Sequence, residues 1–171
     1  MDKILFAIAQ GLGGVAVILG FASFLQKSQK GILIFQVITG LVFTAHYLLL
    51  GAYSAVPLNF VSSVACVVYY FRDKRGSTGK LLPAIFTTVA AVLGLLAWEG
   101  WHSALVVAGV MVGTVGLSCA KPRHTRLFVL LKSPLCLAYN AWVFSVGGVV
   151  YECAILLSAI LGLIRDRKTE K

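Results

Sequence analysis

The chain has 171 residues, of which 59% are hydrophobic, with a mean hydropathy of +0.91 and a formal charge of +9. A soluble core of this length cannot bury that much apolar surface, so a water-soluble globular domain is excluded. The positive charge does not indicate nucleic acid, because it is spread over four separate edges rather than gathered in one patch; attraction to anionic membrane lipid accounts for it.

Seven apolar stretches follow one another. Leu5 to Leu25 comes first, behind Met1-Asp2-Lys3. It is 21 residues long and its stronger basic flank follows it, so it reads as a retained helix rather than a cleaved signal. Lys27 and Lys30 separate it from Gly31 to Leu50, and Tyr53 to Phe71 comes next. Arg72, Lys74, Arg75 and Lys80 precede Leu81 to Ala97, and Trp101 to Ala120 follows without an intervening Lys or Arg. Lys121, Arg123 and Arg126 lead into Leu127 to Phe144, and Val149 to Ile164 ends in a tail holding Arg165, Arg167, Lys168 and Lys171.

Thirteen of the fifteen Lys and Arg thus lie in alternate gaps and the tail, the others being Lys3 and Lys132. Basic flanks stay in the cytoplasm, which puts the N-terminus outside and the C-terminus inside. Backbone amides in hydrocarbon need internal partners, and no alternating strand pattern suggests a barrel, so the spans are helices. The fourth and seventh stretches, of 17 and 16 residues, need snorkelling flanks or a thinned bilayer to cross. Cys66, Cys119, Cys136 and Cys153 stand singly, without metal-ligand or redox spacing, so they read as packing residues; neither metal nor cofactor is expected.

Setting residue i against i+93 aligns the first three segments with the last three without a gap. Arg72-Asp73-Lys74-Arg75 then meets Arg165-Asp166-Arg167-Lys168, Gly20 meets Gly113, and Ala45-His46-Tyr47 meets Ala138-Tyr139-Asn140. Identities are few, and the register rests on equal lengths, matched basic ends and matched polar positions. An odd segment must reverse the chain between two parallel triplets, and the fourth does. The expected fold is all-α and integral to the membrane, with seven transmembrane helices as two parallel three-helix repeats joined by a linker helix. The divisions are 1–75 for the first bundle, 76–98 for the linker and 99–171 for the second.

Charged groups inside a span are costly and are functional candidates by default. Glu152 and Lys132 are the two here. At the helical rise His46 stands ~22 Å above the inner edge, with Asn140 at a similar height and Asn59 and Glu152 a turn or two below the outer ends. His46, Tyr47, Asn59, Tyr139, Asn140 and Glu152 therefore form a polar layer in the outer half. In the repeat register Asn59 faces Glu152. The plainer alternative is that these residues only fasten helices together. Lys132, lower down, reads as a snorkelling lysine or as an internal cation, and direct pairing with Glu152 is not expected because their heights differ too much. Gln10 and Gln36 line a cavity or bond neighbouring helices. Trp98, Trp101 and Trp142 fall on the outer side as an aromatic belt would, with Trp142 also placed to cap a substrate, and His102 reads as interfacial. No hydrolase motif and no intramembrane aspartate pair is present, so an enzyme is not expected.

Ala9-Gln10-Gly11-Leu12-Gly13, the run from His46 to Gly51 followed by Asn59, and Ser145-Val146-Gly147-Gly148 followed by Glu152 carry a resemblance to the YgjV-like bacterial inner-membrane family. The 3+1+3 pattern resembles, more distantly, the SWEET and PQ-loop (MtN3-like) transporter superfamily, whose triplets are parallel repeats. That resemblance implies alternating access and a repeat-related asparagine pair holding a sugar, matched here by Asn59 and imperfectly by Glu152. A carboxylate in that place favours a cation, or a polyol with proton coupling. The superfamily's four hinge prolines are reduced to Pro134, whose repeat mate is Leu41 beside Gly40, and a Pro-Gln pair is absent. The expected function is a small-molecule transporter or facilitator for a polar solute that is sugar-like, a polyol or a cationic metabolite. The alternative is a non-transporting membrane subunit or sensor. Expected partners are membrane lipid and the solute, and a homo-oligomer is compatible with the chain.

Overall fold

Long apolar runs leave the backbone no partner but itself, and in the computed structural model every run is helical. Residues 3–74 and 79–169 are described, so the expected boundary at 75/76, Arg75 and Lys171 lie outside them. Among the described residues there are seven helices and no strand: α1 Lys3–Leu25, α2 Gln29–Leu50, α3 Ala55–Lys74, α4 Leu81–Leu96, α5 Ser103–Leu117, α6 Pro122–Trp142 and α7 Val146–Thr169. Four of them (α1, α2, α3 and α7) are long and apolar enough to cross a membrane, and α4 and α5 are shorter apolar helices.

Local chemistry sets the ends. The Ser28 hydroxyl accepts from Gly31 N and caps α2, while Gly51, at φ 74°, closes that helix in the left-handed conformation glycine adopts freely. Pro122 opens α6 at the position where a missing N–H costs least. This moves the start of the sixth helix five residues ahead of the expected Leu127. Pro134 lies inside α6, which nonetheless runs unbroken to Trp142.

The packing partners form a ring: α1 on α2, α2 on α3, α3 on α5, α5 on α6, α6 on α7, and α7 back on α1. α4 lies outside this ring against α3 and α5. α5 exposes no large apolar side chain, whereas the other helices present rows such as Ile34, Ile38 and Leu41, or Leu157, Ile160 and Ile164. Such rows are what hydrocarbon solvates, and the polar groups turn inward instead.

The ring has a basic end and an aromatic end. At the basic end Arg126 is almost wholly buried. It donates to Phe24 O (3.1 Å) and Gln26 O (2.7 Å) and pairs with Asp166, while Arg165 donates to Leu25 O (2.9 Å). The two guanidiniums satisfy the carbonyls left open at the end of α1. At the aromatic end Trp101, His102 and Trp142 pack together, with the rings of His102 and Trp142 stacked 5.7 Å apart. Glu99, before α5, accepts from Tyr53 N (3.3 Å) and Ser54 N (2.8 Å), the amides that lead into α3.

Candidate functional site

Inside the ring lies a cavity lined mainly by α2, α3, α5, α6 and α7. The middle helices contribute most of its wall, with Gln36, Thr39, Phe43 and Tyr47 from α2 and Thr125, Lys132, Tyr139 and Asn140 from α6. α3 adds Asn59 and Ser62, α5 adds Val106, Val110 and Gly113, and α7 adds Tyr151 and Glu152. Of the expected substrate-binding residues, Asn59, Glu152, Tyr47, Tyr139 and Asn140 line it, as do Gln36, Lys132 and Gly40. His46, Trp142, Gln10 and Pro134 are not among its lining residues.

The pairing expected least is the one present. Lys132 Nζ lies 3.2 Å from Glu152 Oε1, and the expectation that these two stand too far apart in height is wrong. The error follows from the helix start. Counted from Pro122, Lys132 is ~15 Å into α6, and Glu152 is ~9 Å below the start of α7. The remaining offset is covered by the four-carbon lysine stem. Lys132 does not snorkel out; its ammonium sits 5.9 Å from the centre of the Tyr151 ring. Glu152 is 3% exposed, and its second oxygen, Oε2, accepts no hydrogen bond.

The other polar groups of the layer are spent on one another. Tyr47 OH donates to Asn140 Oδ1 (2.6 Å), and Asn140 Nδ2 donates to Cys136 O one turn back (2.9 Å). The Tyr139 and Ser54 hydroxyls are 2.9 Å apart. Asn59 donates to Ala55 O on its own helix (2.9 Å). Toward the basic end Thr125 donates to Gln29 Oε1 (2.9 Å), and Gln29 donates to Leu117 O (2.9 Å). Gly40 is a point of close approach, since a β-carbon there would meet Ser63 Oγ and Asn59 O of α3.

His46 is fully buried and works as a fastener. Its Nδ1 lies 2.6 Å from Ala9 O, a pure acceptor, so Nδ1 carries a proton, and Nε2 is hydrogen-bonded to Ser145 Oγ at 2.7 Å. Gln10 joins the same knot by accepting from Gly147 N (2.9 Å). Gly13 and Gly147 touch backbone to backbone: a β-carbon on Gly13 would lie 2.7 Å from Gly147 Cα. The Ala9 to Gly13 and Ser145 to Gly148 signatures of the sequence therefore meet in one junction between α1 and α7. Trp142, 51% exposed, belongs to the aromatic end. The sequence reading missed the inward turn of Arg126, the bridge from Glu99 to α3 and the part Ser145 plays with His46. Only the polarity of these residues marked them, and their partners lie far away in the chain.

A family model described as a bacterial inner membrane protein (Imp-YgjV) matches residues 7–170. The inner membrane protein YgjV of Escherichia coli (strain K12) is 24% identical over 164 residues, covering 96% of this chain and 87% of that protein. No solved structure matches the chain. With its multi-pass apolar helices and a family match along nearly its whole length, this chain belongs to the Imp-YgjV family of bacterial inner membrane proteins.

Proposed function

We propose that this protein is a small transporter or facilitator of SWEET-like architecture that carries a polar solute across the inner membrane by alternating access. One observation carries the reading: a cavity within the helix ring whose wall holds a buried ion pair, amides and hydroxyls. A membrane protein that only needed to pack has no need to keep the Glu152 and Lys132 charges on the wall of such a space, since charges within a span are costly.

The parallel-repeat reading gains support from the packing pattern, which maps onto itself when α1, α2 and α3 are exchanged with α5, α6 and α7. Hydrogen bonds follow the same rule. Arg72 donates to Ser118 O (2.6 Å) and Arg165 to Leu25 O (2.9 Å), two bonds whose members are offset by the same 93 positions. Tyr47 bonds its own repeat mate, Asn140. In this reading α1 to α3 and α5 to α7 are the two bundles, with the basic end in the cytoplasm. Tyr47–Asn140 and Tyr139–Ser54 then act as the outer latch, and Gln29 with Thr125 and Leu117 as the inner one. Asn59 and Glu152 face the solute. The pairing of Glu152 with Lys132 tells against a bare cation, whose charge the lysine would oppose, and leaves sugar-like and polyol solutes in play.

A second reading, a non-transporting subunit or sensor, draws on the His46, Gln10 and Ser145 knot, where polar groups serve only to fasten helices. The test is uptake into proteoliposomes. A metabolite that stabilises the purified protein is expected to be taken up. Glu152→Gln is expected to abolish uptake while the protein stays monodisperse, and Asn59→Ala is expected to weaken it while leaving any pH dependence intact. Full uptake by Glu152→Gln with an unchanged pH profile would favour the fastening role.

A further inference from the structure

The ion pair is incompletely used. Glu152 Oε2 is buried without a hydrogen bond, and the Lys132 ammonium gives one of its three N–H groups to Glu152 Oε1 at 3.2 Å. Both residues line the cavity, and no other Lys, Arg, Asp, Glu or His is among its lining residues. The site therefore carries no net charge, yet it presents a spare anionic acceptor beside spare cationic donors. We infer that it binds a zwitterion whose ammonium and carboxylate are one carbon apart, as in an α-amino acid.

The physical argument is charge balance. A net cation or anion entering this cavity would remain uncompensated where water is scarce, which is strongly unfavourable. A zwitterion adds no net charge. Its ammonium can pair with the Glu152 carboxylate once the buried Oε2 turns toward the cavity, and its carboxylate with the remaining N–H groups of Lys132, so that each charge has an opposite neighbour on two sides. A short ammonium-to-carboxylate spacing suits a pair held at 3.2 Å, whereas a γ-amino acid would overshoot it. Phe43, Val106 and Val110 form an apolar wall for a side chain, and Thr39, Asn59 and Ser62 give it polar contacts. The inference deepens the transport reading, but binding to this site is measurable apart from transport.

The experiment is a thermal-shift titration of the purified protein with the common α-amino acids, followed by the amine and the carboxylic acid that correspond to each hit. At least one α-amino acid should raise the melting temperature in a saturable manner. The matching amine and acid, each keeping only one of the charges, should have no effect at about tenfold higher concentration. Lys132→Met and Glu152→Gln should each weaken the apparent Kd by at least about thirtyfold, because each strips one partner from the ligand. The double variant restores charge balance, so it separates ligand recognition from packing. It should melt near the wild type and show no response to the amino acid. The inference is overturned if no α-amino acid shifts the melting temperature, if the amine or acid alone suffices, or if the double variant still responds. An amino acid that binds but is not taken up by proteoliposomes would uphold this site and defeat the transport reading. Uptake of a sugar or polyol without any zwitterion response would do the reverse.

Discussion

The helix ring closes on two sides, and the two closures are built differently. Between α1 and α7 it is stitched along its length. Gly13 and Gly147 meet backbone to backbone, Gly20 lies under Tyr151 and Ile155, Ser158 donates to Phe21 O (2.8 Å), and Arg165 reaches Leu25 O. Between α3 and α5 the hydrogen bonds described lie toward the ends. Arg72 holds Ser118 O at the basic end, and Glu99 holds the amides before α3 at the other. Between those points stand cavity-lining residues: Asn59 and Ser62 on one helix, Val106, Val110 and Gly113 on the other. α4 covers this second seam from outside, with Gly94 against Val107. The ring is stitched along one seam and pinned near the ends of the other, and in the transport reading the second seam, which borders the cavity, is the side that parts.

The largest effect is expected where the stitched seam has no room. Gly147→Val puts a branched side chain where even a β-carbon would lie 2.6 Å from Gly13 Cα, and backbone atoms there cannot step aside. Overpacking typically costs about 1–3 kcal/mol, and more where the neighbour is backbone that cannot yield. The expected outcome is loss of the monodisperse peak in size-exclusion chromatography. A folded Gly147→Val protein melting like the wild type would show that the α1–α7 seam is not the fixed side.

A smaller loss is expected at the basic end of the same seam. Arg126→Gln removes the donors to Phe24 O and Gln26 O and leaves Asp166 without that partner. Breaking a buried pair is strongly destabilising, but Asp166 is a quarter exposed and water takes part of its charge. The melting temperature should fall by an amount corresponding to about 2 kcal/mol, with the protein still folded at room temperature. An unchanged melting temperature would mean that Arg126 contributes nothing to this closure.

The long helices were legible because an apolar run bounded by lysines or arginines has one physical outcome in a membrane. α1 and α2 begin and end within two residues of the stretches read from hydropathy. The first turn of α6 was not legible, since Arg123, His124 and Arg126 look like a solvated loop, and only the carbonyls at the end of α1 explain why Arg126 turns inward. Missing that turn misplaced Lys132 along its helix and hid its pairing with Glu152. The polar layer was legible as a set of residues, because each polar group in a span needs a partner. Which partner each takes was not: His46 looked like a cavity residue until Ala9 and Ser145 were found on its two nitrogens. Depth along a helix follows from counting residues, but the facing of a side chain depends on neighbours remote in sequence.

The smallest effect is expected on the looser side, at Gly113 of α5. A β-carbon there would meet only Lys132 Cδ, at 3.1 Å, part of a flexible stem that can shift by a few tenths of an ångström. Alanine also favours helix over glycine by about 1 kcal/mol in peptides, which offsets a mild clash. Gly113→Ala should therefore melt within about 0.5 kcal/mol of the wild type, where valine at Gly147 destroys the fold. Its effect should fall on the site instead, because pushing the lysine stem moves the ammonium relative to Glu152. A reduction of a few-fold in ligand affinity, with the fold intact, is the expected result in the same thermal-shift titration. If Gly113→Ala unfolds the protein as Gly147→Val does, the two sides of the ring are equally tight, and neither is free to open around the cavity.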